Sequence, residues 1–235
     1  MNKQDLISKI KQLDGVTQDE RAYLINLVNT KKKYGLVWED KREDVEEQLR
    51  NNLPVLKEVK EKAIINGEDN PNHILIEGDN LHALTALTFT HEGKIDVIYI
   101  DPPYNTGNKD FKYNDTFVDK EDSYRHSKWL SFMDKRLRIA KRLLSETGGV
   151  FISIDDNEHA QLKMLCDEVF GAENYRNSIA VRRGAKSVQS QFENIDKLGI
   201  AYEYLLLYTK NSNYRLNQFY FDLEEKRTGS WNNHW

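Results

Sequence analysis

Along the first seventy residues, apolar positions recur at helical spacing within a heavily charged background. Leu6, Ile7, Ile10 and Leu13 share one helical face, and Thr17–Glu20 (TQDE) has the form of a capping box ahead of Tyr23, Leu24, Leu27 and Val28. Between Glu39 and Lys62 charges dominate, yet Val45, Leu49 and Leu53 keep one apolar stripe, and Pro54 predicts a break and a fresh helix start. Residues 1–70 therefore read as a helical appendage, solvated over most of its surface and packed by one face; a partner-docking role is the alternative.

From His73 the pattern changes. HILIEGD predicts a short strand with a turn, NLHALTALTFTH a helix, and KIDVIYID an unbroken apolar run ending in acid, as expected of a parallel strand buried on both faces. Together they predict a βαβ unit. A long amphipathic helix follows near Ser127–Ser145, with Trp129, Met133, Leu137, Ala140 and Leu144 on one side. Gly148-Gly149 fits a tight turn before the strand GVFISI, and the acidic turn Asp155–Glu158 is placed to cap a helix running through Phe170. Further strands are expected at Ser178–Arg182 and Glu203–Tyr208. This alternation implies an open α/β sheet whose ligands bind at the C-terminal ends of its strands.

Composition narrows the classes. The 235 residues are 39% hydrophobic and 31% charged, and 12 Tyr, 9 Phe and 4 Trp can furnish a core, so the chain is globular rather than disordered. No apolar run reaches the ~18–20 residues of a membrane helix, and the start MNKQDLISKIKQ lacks a signal peptide's apolar stretch. The lone cysteine, Cys166, excludes an internal disulfide, suits a cytoplasmic location and falls at a helical core position. With 34 basic against 38 acidic residues the formal net charge is -4, so any nucleic-acid role must come from local patches. The six histidines show no metal-ligand spacing, and no metal site is expected.

The informative chemistry is Asp101-Pro102-Pro103-Tyr104, directly after the apolar run IDVIYI. Two of the chain's four prolines sit side by side here, stiffening the backbone and leaving carbonyl acceptors at the strand's end. An acid, rigid carbonyls and an aromatic face at that edge suit a planar group bearing an exocyclic amine. Asp101 and the Pro102 carbonyl can accept its two hydrogens while Tyr104 stacks on the ring.

DPPY in this setting resembles the catalytic signature of S-adenosylmethionine-dependent DNA adenine-N6 methyltransferases. The longer stretch ILIEGDNLHALTAL…IDVIYIDPPYNTGNKDFKYNDTF is similar to the modification subunits of type III restriction–modification systems. So are KYGLVWEDKREDVEEQL, WLSFMDKRLRIAKRLL, GGVFISIDDNEHAQLKMLCDEVFG and EYLLLYTKN, from about Thr17 to Asn211. The resemblance implies a Rossmann-like methyltransferase fold, S-adenosylmethionine as cofactor, and double-stranded DNA with a flipped adenine as substrate. It also implies partnership with a second modification subunit and with a helicase/nuclease restriction subunit. Asp101 to Tyr104 would be catalytic, with Asp101 also near the cofactor. Asp79 would either contact the cofactor or, with Asn80, merely cap the following helix. Arg182, Arg183 and Lys186, in a stretch free of acids from Arg176, are the DNA-contact candidates. Lys135, Arg138 and Arg142 read as a solvated face. Asn105, Thr106 and Gly107 begin the loop that shapes the pocket. Phe111, Tyr113 and Phe117 beyond them either close over a flipped base or anchor that loop.

The resemblance has a gap. Its permuted class carries a glycine-rich FxGxG cofactor loop after the recognition region, and no G-x-G occurs here. The strands flanking that loop would lie between HILIE and IDVIYI. The expectation is thus an incomplete fold: an appendage (1–70), a catalytic region (71–212) and the start of a target-recognition region (213–235), with little cofactor binding or activity alone. An N4-cytosine methyltransferase, or a non-catalytic remnant that only binds partner subunits, are the alternatives.

Overall fold

The computed structural model of the protein describes residues 3–29, 35–64, 67, 70–71, 73–183, 202–214 and 217. At its centre is a four-stranded mixed sheet in the order β1-β4-β6-β5, formed by β1 (Ile95–Ile100), β4 (Leu144–Ile154), β6 (Tyr202–Thr209) and β5 (Tyr175–Arg182). β1 runs parallel to β4, and β6 is antiparallel to both β4 and β5. A small hairpin, β2 (Lys112–Tyr113) with β3 (Thr116–Phe117), lies in the loop after β1. The expected open α/β architecture is present.

Two helices cover one face of the sheet. α5 (Arg125–Leu143) buries Trp129, Met133, Leu137 and Ala140, and α6 (His159–Phe170) buries Leu162, Leu165, Cys166 and Phe170. They meet Val150, Ile152 and Ile154 of β4 and Leu206 and Tyr208 of β6, all fully buried in one cluster. Alternation along the strands puts Ile98 and Ile100 on this face and Val97 and Tyr99 on the other. Cys166 is a core residue, and burial pushes its thiol pKa up.

The opposite face of β1 departs from expectation. IDVIYI reads as buried on both sides, but Val97 is 62% and Tyr99 63% exposed, because among the described residues no layer covers that face. Among the described residues β1 also pairs on one edge only, with β4. HILIE does not form a strand: among the described residues no neighbouring strand takes its backbone hydrogen bonds, and Ile74 and Leu75 stand exposed. An apolar run reports that a segment favours burial; it does not report which neighbours arrive to bury it.

Gly148 and Gly149 lie within β4 rather than in a turn before it. The register between β1 and β4 shifts after Ile95, and a Cβ on Gly148 would sit 2.8 Å from the Ile95 carbonyl oxygen. The glycine thus permits a close backbone approach where the two parallel strands begin.

In the N-terminal region, α1 (Lys3–Lys11) and α2 (Gln18–Asn29) form as the periodicity predicts. The TQDE capping box closes: Thr17 N–H donates to Glu20 Oε2 at 2.8 Å, and Glu20 N–H to Thr17 Oγ1 at 3.3 Å. α3 (Asp44–Asn51) ends before Leu53, and no helix starts at Pro54; the chain runs on non-helical to a short 3-10 turn at Lys60–Lys62. Leu36 and Trp38 pack against the main core, and Arg136 of α5 reaches Glu43 through a two-pronged, largely buried ion pair, 2.7 and 3.0 Å. The same guanidinium donates to Asn80 Oδ1 at 2.6 Å, at the start of α4 (Asn80–His91). The segment from Leu36 to Glu43 is therefore joined to α5 and the main core by specific polar contacts as well as by apolar ones.

Candidate active site

β1 delivers Asp101 to the C-terminal end of the parallel pair, and the two prolines then steer the chain outward. The turn is anchored from below: Trp129 Nε1–H, on fully buried Trp129 of α5, donates to the Pro103 carbonyl at 2.7 Å. Asp101 itself is exposed, and Pro102 beside it is buried. An acid on a rigid, anchored backbone is preorganised, which is what recognition of a fixed polar group requires.

Asp101 and Tyr104 line an open cavity of about 590 Å³ on the uncovered face of the sheet, with Tyr99, Ser153, Arg182, Arg183, Glu203 and Tyr204 among its walls. The register explains the company. Tyr99 and Ser153 point to this face and share a hydrogen bond of 2.8 Å, while Arg182 pairs with Tyr202 at the adjoining ends of β5 and β6. The cavity thus combines aromatic faces, two carboxylates and two guanidinium groups within the size range of small-ligand sites.

Glu203 is the residue that sequence reasoning missed. Its Oε2 accepts the Tyr104 hydroxyl proton at 2.6 Å, and its other oxygen is ion-paired with Arg183. Burial, this hydrogen bond and the charge of Asp101 push the Tyr104 pKa up, so the phenol stays protonated. The expectation of Tyr104 as a stacking ring alone is therefore incomplete: its hydroxyl has a charged partner. Tyr204 stacks on His159, with centroids 3.9 Å apart, and burial lowers the His159 pKa. The alternation of EYLLLYTKN gives Glu203 an outward position, but nothing local says that it meets a residue 99 positions earlier.

Behind Tyr104, Asn105 is fully buried and has φ 56°, in the left-handed region. Its side chain donates to Glu158, which does not cap α6 as expected; the carboxyl turns toward Asn105 and His126. Phe111 and Tyr113 are buried and anchor the loop, Tyr113 through a 2.7 Å bond to the Lys41 carbonyl, so they do not stand over the cavity. Phe117 is partly exposed beneath the Lys112 ammonium.

The other sequence candidates divide. Asp79 caps α4, accepting from Leu81 N–H at 2.8 Å and His82 N–H at 3.2 Å, and is not among the cavity residues. Arg182 and Arg183 reach the cavity, whereas Lys186 lies outside the described residues. Lys135, Arg138 and Arg142 are each paired within the fold, to Glu46, Asp134 and Glu92. Among the described residues no cluster of His, Cys, Asp and Glu could hold a metal, and no helix is long and apolar enough to cross a membrane.

The strand, its acid–proline–proline–aromatic turn and the residues lining the cavity all fall within residues 95–234, which match a family model described as DNA methylase. The chain belongs to that family. Among its relatives is the Mod subunit of the type III restriction-modification enzyme EcoP15I of Escherichia coli, 34% identical over 215 residues. That match covers 81% of this chain and 32% of the relative. The EcoPI Mod subunit of Escherichia phage P1 is 36% identical over 222 residues, covering 83% and 33% respectively. The type II methyltransferase M.KpnI of Klebsiella pneumoniae is 41% identical over 144 residues, covering 61% and 34%. The chain spans about a third of the length of these curated relatives.

Proposed function

We propose that this chain carries the catalytic motif of an S-adenosylmethionine-dependent DNA adenine-N6 methyltransferase, the modification component of a type III restriction–modification system. The observation that carries the reading is the placement of Asp101 and Tyr104 on one open cavity with Arg182 and Arg183 at its rim.

The exocyclic amine of adenine is a poor nucleophile because its lone pair is delocalised into the ring. Asp101 Oδ and the Pro102 carbonyl accept its two N–H bonds, drawing the nitrogen toward a tetrahedral form. The Trp129 bond to Pro103 holds that acceptor backbone in place, so the orientation is set before the base arrives. In duplex DNA the amine is paired, so the base must leave the helix at a cost of a few kcal/mol. Stacking on Tyr104 returns ~1–3 kcal/mol of that, and Arg182 favours the adjoining phosphate, joined by Arg183 where its exposed guanidinium extends past the Glu203 pair.

The residues present fit the cofactor in part. Two acids, Asp101 and Glu203, and the rings of Tyr99 and Tyr204 offer negative charge and aromatic surface to a sulfonium-bearing nucleoside. S-Adenosylmethionine, when bound, supplies the electrophilic methyl group. Asp79 already has a purpose as the cap of α4, so a cofactor role for it rests on the family resemblance alone. The type III relatives are named as Mod subunits of restriction-modification enzymes, which supports assembly of this chain with a restriction subunit; a second modification subunit rests on the family resemblance alone.

The test is product analysis. Full-length protein, labelled cofactor and mixed-sequence duplex DNA are incubated, and the DNA is digested to nucleosides. Label in N6-methyladenine supports the reading; label in N4-methylcytosine replaces the substrate base, and no labelled nucleoside overturns the reading.

A further inference from the structure

A buried polar cluster sits behind the catalytic turn. Glu158 is fully buried, yet it is reached by groups from two other elements: Asn105 Nδ2–H from the loop after β1 donates to its Oε1 at 2.5 Å, and His126 Nδ1 of α5 lies 2.7 Å from the same oxygen. Arg125 Nε–H donates to His126 Nε2 at 3.2 Å, so that nitrogen is an acceptor and the ring proton is on Nδ1, directed at Glu158. Asn105 also donates to the Arg125 carbonyl at 3.3 Å. The carboxyl therefore ties the catalytic loop, the first turn of α5 and the turn after β4 to one point.

We infer that Glu158 is a positioning residue for methyl transfer: through Asn105 it holds the backbone immediately after Asp101–Tyr104 in its left-handed conformation. This rests on the methyltransferase reading for its consequence, though not for its geometry. A non-glycine residue with φ 56° is held only where its surroundings over-determine it, and here the determinant is the side-chain amide of Asn105. Glu158 occupies a helix N-cap without capping, so the ordinary local explanation for an acid at this place does not apply.

Closing the clamp favours the neutral carboxyl, because burial outweighs the Asn105 bond, which by itself favours the carboxylate. Facing Glu158 are Asn105 from the β1 loop, Arg125 and His126 from α5, and Asp155 from its own turn. Burial dominates and pushes its pKa up to about 8; the Asn105 bond and Arg125 lower it, and Asp155 raises it. Burial and Arg125 likewise lower the pKa of His126, so the pair is a neutral hydrogen bond at pH 7 rather than a salt bridge. Glu158 Oε2 and Asn105 Oδ1 are both buried and have no partner among the described residues. A proton on Oε2 turns one of these two acceptors into a donor.

Hydrogen exchange of the Tyr104–Asp110 amides in the full chain tests this, corrected for the intrinsic pH dependence of exchange. Opening the clamp returns Glu158 to water and its ordinary pKa, so protection in the wild type should fall by up to about tenfold per pH unit from pH 6 to about 8 and level off above it. Glu158→Gln, which imitates the neutral acid, should keep protection to pH 9. Glu158→Ala and Asn105→Ala should lose about tenfold or more at every pH. In the methyl-transfer assay, Glu158→Ala should lower kcat by a similar factor with the cofactor KM unchanged, and Glu158→Gln should restore kcat. Protection in Glu158→Ala equal to wild type, or a wild-type profile that follows Glu158→Gln through pH 9, would overturn the clamp. If Glu158→Ala fails to fold, that last comparison alone decides. Normal clamp behaviour with no methyl transfer by the wild type would instead sink the methyltransferase reading.

Discussion

Glu43→Ala should destabilise the protein by about 3 kcal/mol, although Glu43 lies in the appendage and far from the catalytic turn in sequence. Arg136 is as buried as Glu43 and donates to both of its carboxylate oxygens, at 2.7 and 3.0 Å. Removing one partner of a buried ion pair leaves an uncompensated charge and typically costs ~3–5 kcal/mol. The lower end applies, because Asn80 Oδ1 at 2.6 Å, the Phe132 carbonyl at 2.8 Å and the Phe132 ring at 3.5 Å still attend the guanidinium. Against a typical total of ~5–15 kcal/mol, that loss moves a urea midpoint visibly. The double variant Glu43→Leu with Arg136→Met should recover most of the loss, since replacing both charges with apolar groups is often neutral. A Glu43→Ala effect below ~1 kcal/mol, with strict additivity in the double-mutant cycle, would show that the pair couples nothing and that the appendage docks by its apolar contacts alone.

Two further outcomes follow from the cavity and the clamp. Tyr104→Phe deletes a hydrogen bond to a carboxylate, worth ~1.5–3 kcal/mol, so it should cost activity, and Glu203→Gln should cost less; Tyr104→Phe at wild-type kcat would mean the hydroxyl is idle. Stability should fall with rising pH where Glu158 alone titrates: its folded pKa, about 8, lies above its ordinary value, so its contribution is complete below about 4.5 and lost above about 8. His126 and His159 act oppositely, because their lowered pKa values remove stability as pH falls through about 6.5, which leaves pH 7 to 8 as the clean window. There the wild type should lose ~1 kcal/mol in urea melts and Glu158→Gln should not; parallel slopes would contradict the assignment.

Much of the framework was legible because it is local. The 3.6-residue period of Trp129, Met133, Leu137 and Ala140 gives α5, TQDE gives the cap of α2, and an acid and two prolines after an apolar strand mark the site. What escaped was through-space. IDVIYI reads as doubly buried because a run of apolar residues carries no record of its neighbours, and Tyr99 on its outer face turns out to line the cavity. Glu158 reads as a helix cap from its position, whereas its carboxyl satisfies a loop 53 residues earlier. Glu203 and Glu43 carry no local signal for partners 99 and 93 residues away.

The most direct test of the account is the rate of methyl transfer to adenine N6 by full-length Asp101→Ala beside the wild type, with folding and DNA binding checked in both. On the proposed assignment Asp101 is one preorganised acceptor at the reacting amine, so its removal should lower kcat on the order of a hundredfold or more while DNA affinity stays near wild type. Turnover within about threefold of wild type would contradict the assignment of Asp101 as the group that receives the amine.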